Sequence, residues 1–496
     1  MSGRQYKQGI ERQQAFLLPP RIEEYIDADN PVRAIESYVE SLHLEELEFK
    51  NSCGDLTPGQ PAFSPKVLLK LYLYGYLQRV RSSRRLEAEC NRNLEVIWLL
   101  EGLRPGYKTI ANFRKENLKA IQQVNRDFVQ VCKELHLFGA ELVGIDGSFF
   151  RGNVAKGKIY TKARLKRSLA RLDKDIAQYV QEMERVDHEE EGETSLPEEA
   201  LAQKLAALRE RQKKRQVQMK QLEESGESQI AEVDPDARLL NKGGGTIAGY
   251  NVQTAVDSKY KLIVTHAVTQ DGNDEQQLAP MGLAAKAELE VDKLETTQDQ
   301  GYYNVQHIQE CLENEITPYV PKPDKQTCVQ RQGRFTRNDF YYDPEINAYH
   351  CPADKTLKYQ SSREEAGKHI WNYRSSAPIC AQCSLKKKCL PSKTDYRVVT
   401  RWEHEEIIED HQLRMTKDGQ RKMRQRSGLC EHPFGTLKIT CGWTHFLVRG
   451  LEKVKAEMSL LVLSYNFKRV LNIVGLAFFQ AYCQIRRMNR PLIRSV

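Results

Sequence analysis

The chain is organised around one stretch near its C-terminus, Cys430-Glu431-His432-Pro433-Phe434-Gly435-Thr436-Leu437-Lys438. Glu431 follows a basic segment and is predicted to open a helix. Lys438 then lies about two turns farther along the same helix face. One side chain could hold a divalent cation while the other contacts a phosphate, and a solvated surface pair is the alternative. The meaning of the stretch therefore depends on two aspartates upstream of it.

Length and charge narrow the class of protein. A chain of 496 residues exceeds one ordinary hydrophobic core and predicts about two to four domains. Hydrophobic residues make up 40% and charged residues 29%, which is typical of a globular protein. The net charge is only +8, but basic residues cluster at 79–85, 161–171, 386–388, 414–426 and 486–494. Such clusters favour a polyanionic partner.

No targeting or membrane segment is evident. The first residues, Met1-Ser2-Gly3-Arg4, lack an apolar signal core. The longest apolar stretch, around 470–483, contains Asn472 and Gln480 and is shorter than the ~20 residues that a membrane span needs. We therefore expect a cytoplasmic protein. Its 12 cysteines do not indicate a disulfide framework in so long a chain.

Residues 1–138 are predicted to form a helical DNA-binding domain. Ser64-Pro65 suits an N-cap and first turn, and Thr109 is predicted to cap a later helix with basic residues just inside it. Short helices joined by basic turns are consistent with a helix-turn-helix module, and a plain helical domain with a charged surface is the alternative. The candidate DNA contacts in this domain are Arg81, Arg84, Arg85 and Arg114.

Two aspartates lie where predicted strands end. Residues 142–150 read as a short apolar strand with Asp146 near its end, and Asp299 follows a later strand. A carboxylate that emerges from a buried strand is costly unless it is paired, capped or bound to metal. An aspartate in a turn before glycine is the alternative for Asp146.

An insertion separates the first strand from the rest of the predicted sheet. Within 158–230, apolar residues recur at spacings of three and four, which predicts an antiparallel helical hairpin with a heptad seam. Gln212 and Arg215 interrupt that seam. The seam residues are Leu165, Leu169, Leu172, Ile176, Tyr179, Met183, Val186, Leu201, Leu205, Leu208, Met219 and Leu222.

Strand-like sequence resumes after the insertion. Residues 246–257 and 262–268 are predicted to form an antiparallel β-hairpin. Helices are predicted over 276–290 and 305–313, and the strand that precedes Asp299 lies between them. A further strand, 316–320, contains Pro318 and is therefore expected at a sheet edge.

Residues 322–400 are rich in cysteine and turns. Cys380 and Cys383 form a Cys-x-x-Cys pair, with Cys351 and Cys389 nearby. Four such thiolates are the ligand set of a tetrahedral structural zinc site. Cys328 is a spare candidate, and unrelated cytosolic cysteines are the alternative.

Asp146, Asp299 and Glu431 can converge at one edge of a sheet. Three carboxylates at one site repel each other and persist chiefly when divalent cations offset them. Two Mg²⁺ ions held in this way activate a water or a 3′-hydroxyl and stabilise the leaving oxygen of a phosphodiester. We expect Asp146 to bridge the two ions.

Seven motifs resemble those of bacterial insertion-sequence transposases of the DDE class, over about residues 15 to 470. Three carry the carboxylates: Ile145-Asp146-Gly147-Ser148, Asp299-Gln300-Gly301-Tyr302 and Glu431-His432-Pro433-Phe434-Gly435-Thr436-Leu437-Lys438. The others are Arg81-Ser82-Ser83-Arg84, Thr109-Ile110-Ala111-Asn112-Phe113-Arg114, Gly249-Tyr250-Asn251-Val252-Gln253 and Tyr465-Asn466-Phe467-Lys468-Arg469.

The resemblance implies cutting and joining of the element's ends by an RNase H-like core that uses two Mg²⁺ ions, for which Mn²⁺ can substitute. The partners it implies are double-stranded DNA, as terminal repeats and target, and a second copy in a homodimer on the DNA ends. We expect the protein in the bacterial cytoplasm, associated with the nucleoid. The α/β fold would comprise a helical domain (1–138), a core (139–157, 231–321 and 401–496), a hairpin insertion (158–230) and a zinc insertion (322–400).

One departure from the family concerns phosphate contacts. Many relatives carry Tyr and Arg before the glutamate where this chain has Arg424 and Ser427, and Arg426 is the candidate substitute. Lys438 is a further predicted phosphate contact, and Trp443 is predicted to stack on an unpaired base, with a core position as its alternative.

Two other classes of protein fit part of this pattern. A metal-dependent nuclease would use the same three carboxylates without joining DNA strands. A zinc-containing DNA-binding regulator would explain the basic clusters and cysteines, but not the carboxylates.

Overall fold

The computed structural model describes residues 21–51, 62–188, 198–242, 244–323, 333–365, 368–391 and 393–489. Within them, helices cover a central mixed sheet, and the cysteine-rich segment builds a second, antiparallel sheet. The protein is therefore of the α/β class, as the sequence predicts. No single helix in these residues is both long and apolar enough to cross a membrane.

Helices of the N-terminal part precede the central sheet. Ser64 caps the second of them as predicted, because its Oγ accepts the Lys66 N–H at 3.3 Å. The fifth begins earlier than predicted: the Ile110 N–H already donates to the Gly106 carbonyl at 3.1 Å, so Thr109 lies in the first turn and is not the cap. The helices are α1 (Val32–Glu40), α2 (Pro65–Leu77), α3 (Ser83–Arg92), α4 (Leu94–Leu99), α5 (Tyr107–Glu116) and α6 (Leu118–Glu134).

The first strand leads into the helical hairpin that the heptad pattern predicts. The elements are β1 (Leu142–Arg151), β2 (Ile159–Thr161), α7 (Lys162–His188), α8 (Glu198–Ser225) and β3 (Gln229–Ala231). β2 and β3 pair at the base, and α7 packs against α8. Leu165, Leu205 and Leu222 of the seam are buried. The residues between the two helices, 189–197, lie outside the described part.

The two polar residues that interrupt the seam make specific contacts. Gln212 donates to Asp173 Oδ1 at 2.5 Å across the hairpin. Arg215 lies over the Tyr160 ring at 4.0 Å and donates to the Tyr160 hydroxyl at 2.6 Å. The polar interruptions therefore fix the base of the hairpin rather than loosening it.

The central sheet has the strand order β4-β5-β1-β7-β8, and β6 also pairs with β5. β5 is antiparallel to β1 and pairs with it from Val143 to Arg151, so Asp146 lies at the middle of β1 and not near its end as predicted. β7 is parallel to both β1 and β8, and Pro318 lies on the edge strand β8 as expected. The remaining elements are β4 (Arg238–Lys242), β5 (Gly245–Asp257), β6 (Ile263–Thr269), α9 (Leu278–Leu289), β7 (Leu294–Thr297), α10 (Val305–Glu313) and β8 (Ile316–Tyr319).

The cysteine-rich segment has a small core of its own, formed by Phe340, Tyr349, Leu357, Tyr373 and Val399. Its last strand runs past the predicted boundary at residue 400. The elements are β9 (Tyr341–Asp343), β10 (Ala348–His350), β11 (Thr356–Glu365), β12 (Lys368–Arg374), α11 (Ala377–Ala381), α12 (Lys386–Cys389) and β13 (Val398–Trp402), and the sheet order is β13-β12-β11-β10-β9.

One long helical segment follows, and it corrects the predicted start at Glu431. α13 (Glu405–Arg414) continues through a π-helical turn (Met415–Gly419) into α14 (Gln420–Gly435) and a second such turn (Thr436–Thr440). Glu431 therefore lies near the end of α14. Pro433, which usually marks a first helical turn, is tolerated here inside the helix, where it removes one backbone hydrogen bond.

The last helices, α15 (Leu451–Val474) and α16 (Leu476–Asn489), pack on the N-terminal helices. Phe467 of α15 lies 5.9 Å from the ring of Tyr38 and 5.5 Å from that of Phe128. Arg486 forms a buried ion pair with Asp127, with an Nη1 to Oδ2 distance of 2.9 Å. The described N-terminal helices and the C-terminal helices thus share one hydrophobic core.

We expect Leu222→Ala to loosen the helical hairpin. Leu222 is 4% exposed and packs with Tyr160 and Leu165, and removing a buried leucine side chain costs about 2–5 kcal/mol. Hydrogen exchange across α7 and α8 should rise, whereas Val217→Ala, at a residue that is 55% exposed on the same helix, should leave it unchanged. Equal protection in both variants would contradict the hairpin packing.

Candidate active site

Asp146 on β1 and Asp299, two residues past the end of β7, follow the same paired position of these neighbouring parallel strands. Gly144 of β1 is in register with Thr297 of β7, and each aspartate lies two residues beyond that pair. Asp299 Oδ1 accepts the Gly301 N–H at 2.7 Å, which caps a short 3₁₀ turn. The sheet therefore brings the two carboxylates to the same edge.

Arg426 of α14 joins the two aspartates. Its Nη2 lies 3.2 Å from Asp146 Oδ1 and 3.6 Å from Asp299 Oδ2. The side chain of Arg426 is 17% exposed, that of Asp146 is 19% exposed and that of Asp299 is 43% exposed. Because one guanidinium reaches both carboxylates, they face a common point. The sequence predicted Arg426 as a DNA contact, whereas here it supplies positive charge to the acidic pair.

Glu431 lies near this pair, one helical turn beyond Ser427, whose Oγ donates to Glu431 Oε1 at 3.1 Å. Cys430, the residue before Glu431, is affected by the charges of all three carboxylates. Burial raises the pKa of its thiol, the negative charges of Asp146, Asp299 and Glu431 raise it further, and Arg426 opposes them. The charges of all three predicted carboxylates thus act on one buried thiol.

Close contact between α14 and β1 requires glycine at position 144. A Cβ there would lie 2.8 Å from Cys430 Sγ and 3.1 Å from Leu429 Cβ. These distances are shorter than ordinary van der Waals contact, so any side chain would push the helix away from the strand. Gly144 therefore sets the distance between Glu431's helix and Asp146's strand.

The acidic residues offer suitable ligand atoms for divalent cations, but they are not arranged as a complete metal site. In the described part of the chain, no group of three or more His, Cys, Asp or Glu side chains has the arrangement of a metal site. Asp146 and Asp299 nevertheless offer the carboxylate oxygens that Mg²⁺ prefers, and they already attract a cationic group. Arg426 pairs with Asp146 and Asp299 but not with Glu431.

A second polar layer, which sequence reasoning missed, centres on Asp274. Its Oδ1 accepts from Asn251 Nδ2 at 2.8 Å and from Gln253 Nε2 at 2.5 Å, and Gln253 Oε1 accepts from the Tyr302 hydroxyl. Burial raises the pKa of Tyr302, and Asp274, Asp146 and Asp299 raise it further. The sequence analysis did not single out Asp274, although Asn251 and Gln253 lie in one of the motifs that resemble the transposase family.

Two of the predicted DNA contacts, Arg81 and Trp443, have internal side chains. Arg81 is 9% exposed, donates to the His445 carbonyl at 3.0 Å and pairs with Glu457 at 3.4 Å. Trp443 is 3% exposed and lies 6.0 Å from the Tyr76 ring, so its ring cannot stack on a base; the core alternative holds.

Of the other predicted DNA contacts, some side chains bond or pack within the protein and others are exposed. Lys438 donates to Ser148 Oγ at 2.6 Å and to the Phe149 carbonyl at 2.7 Å, both on β1. Arg114 is half-buried over the Tyr72 ring, at 5.7 Å. Arg84, Arg85 and Arg424 are exposed. Their contacts with DNA stay predictions.

The four predicted zinc ligands lie in the second sheet's domain as free, half-buried thiols. Cys351 Sγ accepts the Lys355 N–H at 3.3 Å, and Cys380 Sγ lies 3.1 Å from Ser375 Oγ. Burial raises the pKa of Cys389, Arg397 opposes this, and Cys380, Cys351 and Cys383 raise it further. In the described residues the four thiols are not arranged as a metal-binding group. Cys328 lies outside the described residues.

Comparison with known proteins bears on this arrangement. Two family models match the chain: a transposase domain over residues 20–116 and a transposase DDE domain over residues 350–471. These two segments of the chain therefore match transposase domains, the second of them of the DDE class. The second match covers Glu431 and the four cysteines of the second sheet's domain.

No curated protein matches the chain. Among solved structures it is similar to the piggyBac transposase in a synaptic complex with hairpin DNA, determined by cryo-electron microscopy. The identity is 8% and the TM-score 0.32, over 93% of this chain and 80% of that one.

We expect Lys438→Met to lower the free energy of unfolding. The change removes two hydrogen bonds from a cation to β1, and each bond to a charged group contributes about 1.5–3 kcal/mol. Chemical denaturation should show the loss, and Lys417→Met, at an exposed position of the same helical segment, should show none. Equal stability of the two variants would mean that Lys438 does not hold β1.

Proposed function

We propose that this chain is a transposase that cuts the ends of its element and joins them to target DNA, with Asp146, Asp299 and Glu431 as metal-binding carboxylates. One observation carries the proposal: Arg426 contacts both Asp146 and Asp299. Two carboxylates that face one point, with a third on the adjoining helix, form a strongly acidic site. Sites of this kind suit phosphodiester transfer.

The sheet supports an RNase H-like core, which the resemblance implies. Three antiparallel strands, β6, β5 and β1, are followed by two parallel strands, β7 and β8, each preceded by a helix. The helical hairpin lies between β1 and β4, and the second sheet lies between β8 and α13. Both insertions therefore leave the strand order of the core uninterrupted.

Each side chain then has a distinct role. Asp146 on the central strand and Asp299 beside it would hold the metal, and Glu431 would complete the set from α14. When bound, divalent cations activate the attacking hydroxyl and stabilise the leaving oxygen. Arg426 balances the aspartates' charge, and its fork of donors suits a DNA phosphate once other cations neutralise the pair. Arg84, Arg85 and Arg424 would contact the backbone of DNA held by a homodimer.

The test is to neutralise each carboxylate. Asp146→Asn, Asp299→Asn and Glu431→Gln should each abolish cleavage and joining of labelled element ends in Mg²⁺. DNA binding should persist because it depends on basic side chains. Asp292→Asn, at an exposed residue near β7, serves as the matched control.

Two outcomes would revise the proposal. A variant that still cuts at a near-normal rate removes its residue from the metal-binding set. Cleavage without joined products in the unaltered protein would favour a nuclease over a transposase mechanism.

We further propose that Cys351, Cys380, Cys383 and Cys389 bind one structural Zn²⁺. The support is the Cys-x-x-Cys spacing of Cys380 and Cys383, the free thiols and the Lys355 N–H donated to Cys351 Sγ, since ligating groups usually accept such second hydrogen bonds. Zinc binding would stabilise this small domain, whose apolar core is limited.

Elemental analysis tests the zinc proposal. Purified protein should contain about one zinc per chain, and the double change Cys380→Ser with Cys383→Ser should remove it. Cys441→Ser, outside this domain, should retain it. Absence of zinc from the unaltered protein, purified without chelators, would refute the proposal.

A further inference from the structure

A cavity of about 200 Å³ lies beside the helical segment that carries Glu431. His432, Thr436 and Thr440 form one wall, at the four-residue spacing of a single helix face. Lys468 and Arg469 of α15 and Arg79, which follows α2, form the opposite parts of the lining. None of these residues belongs to the acidic site described above.

The lining is positively charged. Arg79, Lys468 and Arg469 each bring a cation, and no aspartate or glutamate lines the cavity among the described residues. Arg469 donates from Nε to the Tyr260 carbonyl at 2.6 Å, and its Nη1 lies 3.3 Å from His432 Nε2. These contacts hold the side chain in place without cancelling its charge. Arg79 and Lys468 are exposed and can turn toward a ligand.

Trp443 adds an independent observation. Its side chain lines the same cavity and is 3% exposed, yet its Nε1–H has no acceptor in the described part of the chain. Buried N–H groups nearly always have a partner in folded proteins. A ligand with acceptor oxygens would supply one. The position of Arg79 is also unusual, because its φ of 62° lies in the left-handed region, where strained residues often mark binding sites.

We propose that this cavity binds a phosphate group of the DNA backbone, held by Arg79, Lys468 and the Trp443 indole N–H. A phosphate carries the negative charge that the lining lacks and the oxygens that these donors need. The proposal rests on DNA as the substrate. It would fix a DNA strand beside Glu431, because His432 of the cavity wall is the next residue in the chain.

Equilibrium binding to duplex DNA in EDTA, over a series of salt concentrations, tests the assignment. Arg79→Gln with Lys468→Gln should weaken binding about tenfold and reduce the slope of log K against log salt by about 1, the value for one phosphate contact. Trp443→Phe removes the donor without removing charge, so it should weaken binding about threefold with an unchanged slope. Lys293→Gln, a charge change at a side chain that is 81% exposed, is the matched control.

A second arm uses inorganic phosphate and thermal unfolding, which also checks that each variant folds. Phosphate should raise the Tm of the unaltered protein and not that of Arg79→Gln with Lys468→Gln. If both substituted proteins bind DNA like the control, the backbone assignment is overturned; if phosphate also has no effect, the cavity is not an anion site. Because EDTA removes divalent cations, this assay measures DNA binding without cleavage. A loss of binding here is therefore distinguishable from a loss of the proposed cleavage and joining. An unaltered protein that bound no DNA would contradict the proposed function, while the phosphate arm would still report on the cavity.

Discussion

The contact between Arg426 and the two aspartates is the interaction on which the site depends. Asp146 and Asp299 each follow by two residues the paired Gly144 and Thr297 of parallel strands, so the sheet brings two like charges together. Like charges at short range raise the free energy of the folded state unless a cation lies between them. Arg426 meets that requirement at 3.2 Å and 3.6 Å, and it can do so only because Gly144 lets α14 lie directly on β1.

The helical segment that carries Arg426 also connects the two sheets. At its start, Glu405 pairs with Arg337 at 2.5 Å, and Glu409 pairs with Arg401 at 2.6 Å, both in the second sheet's domain. Farther along, the His411 ring lies 2.9 Å from the Val320 carbonyl, and Lys422 pairs with Glu295 of β7. The cysteine-rich domain is therefore tied to the active site through one continuous element rather than through a flexible linker.

A buried carboxylate organises the region that follows this element. Glu457 of α15 is fully buried, accepts the backbone N–H groups of Leu447 and Val448, and pairs with Arg81. A buried charge of this kind must be both paired and hydrogen-bonded to be tolerated. Arg81, which the sequence predicts as a DNA contact, is buried by this ion pair. The same packing buries Trp443 against the cavity that we propose binds a phosphate, and its N–H has no acceptor among the described residues.

Local sequence determined much of this protein. Periodicity and turn residues were enough to predict the Ser64 cap, the helical hairpin, the β5–β6 hairpin, the edge position of Pro318 and the strand that leads to Asp299, because each depends on neighbours in the chain. Tertiary structure decided the rest. Asp146 lies mid-strand because β5 pairs beyond it, and Glu431 lies inside a helix because α14 continues from α13 through Pro433. Arg426, Asp274 and Arg81 acquired their contacts from residues far away in the chain. Long-range charge pairing and burial of this kind have no periodic signal in a sequence, so only the packed fold could assign those side chains.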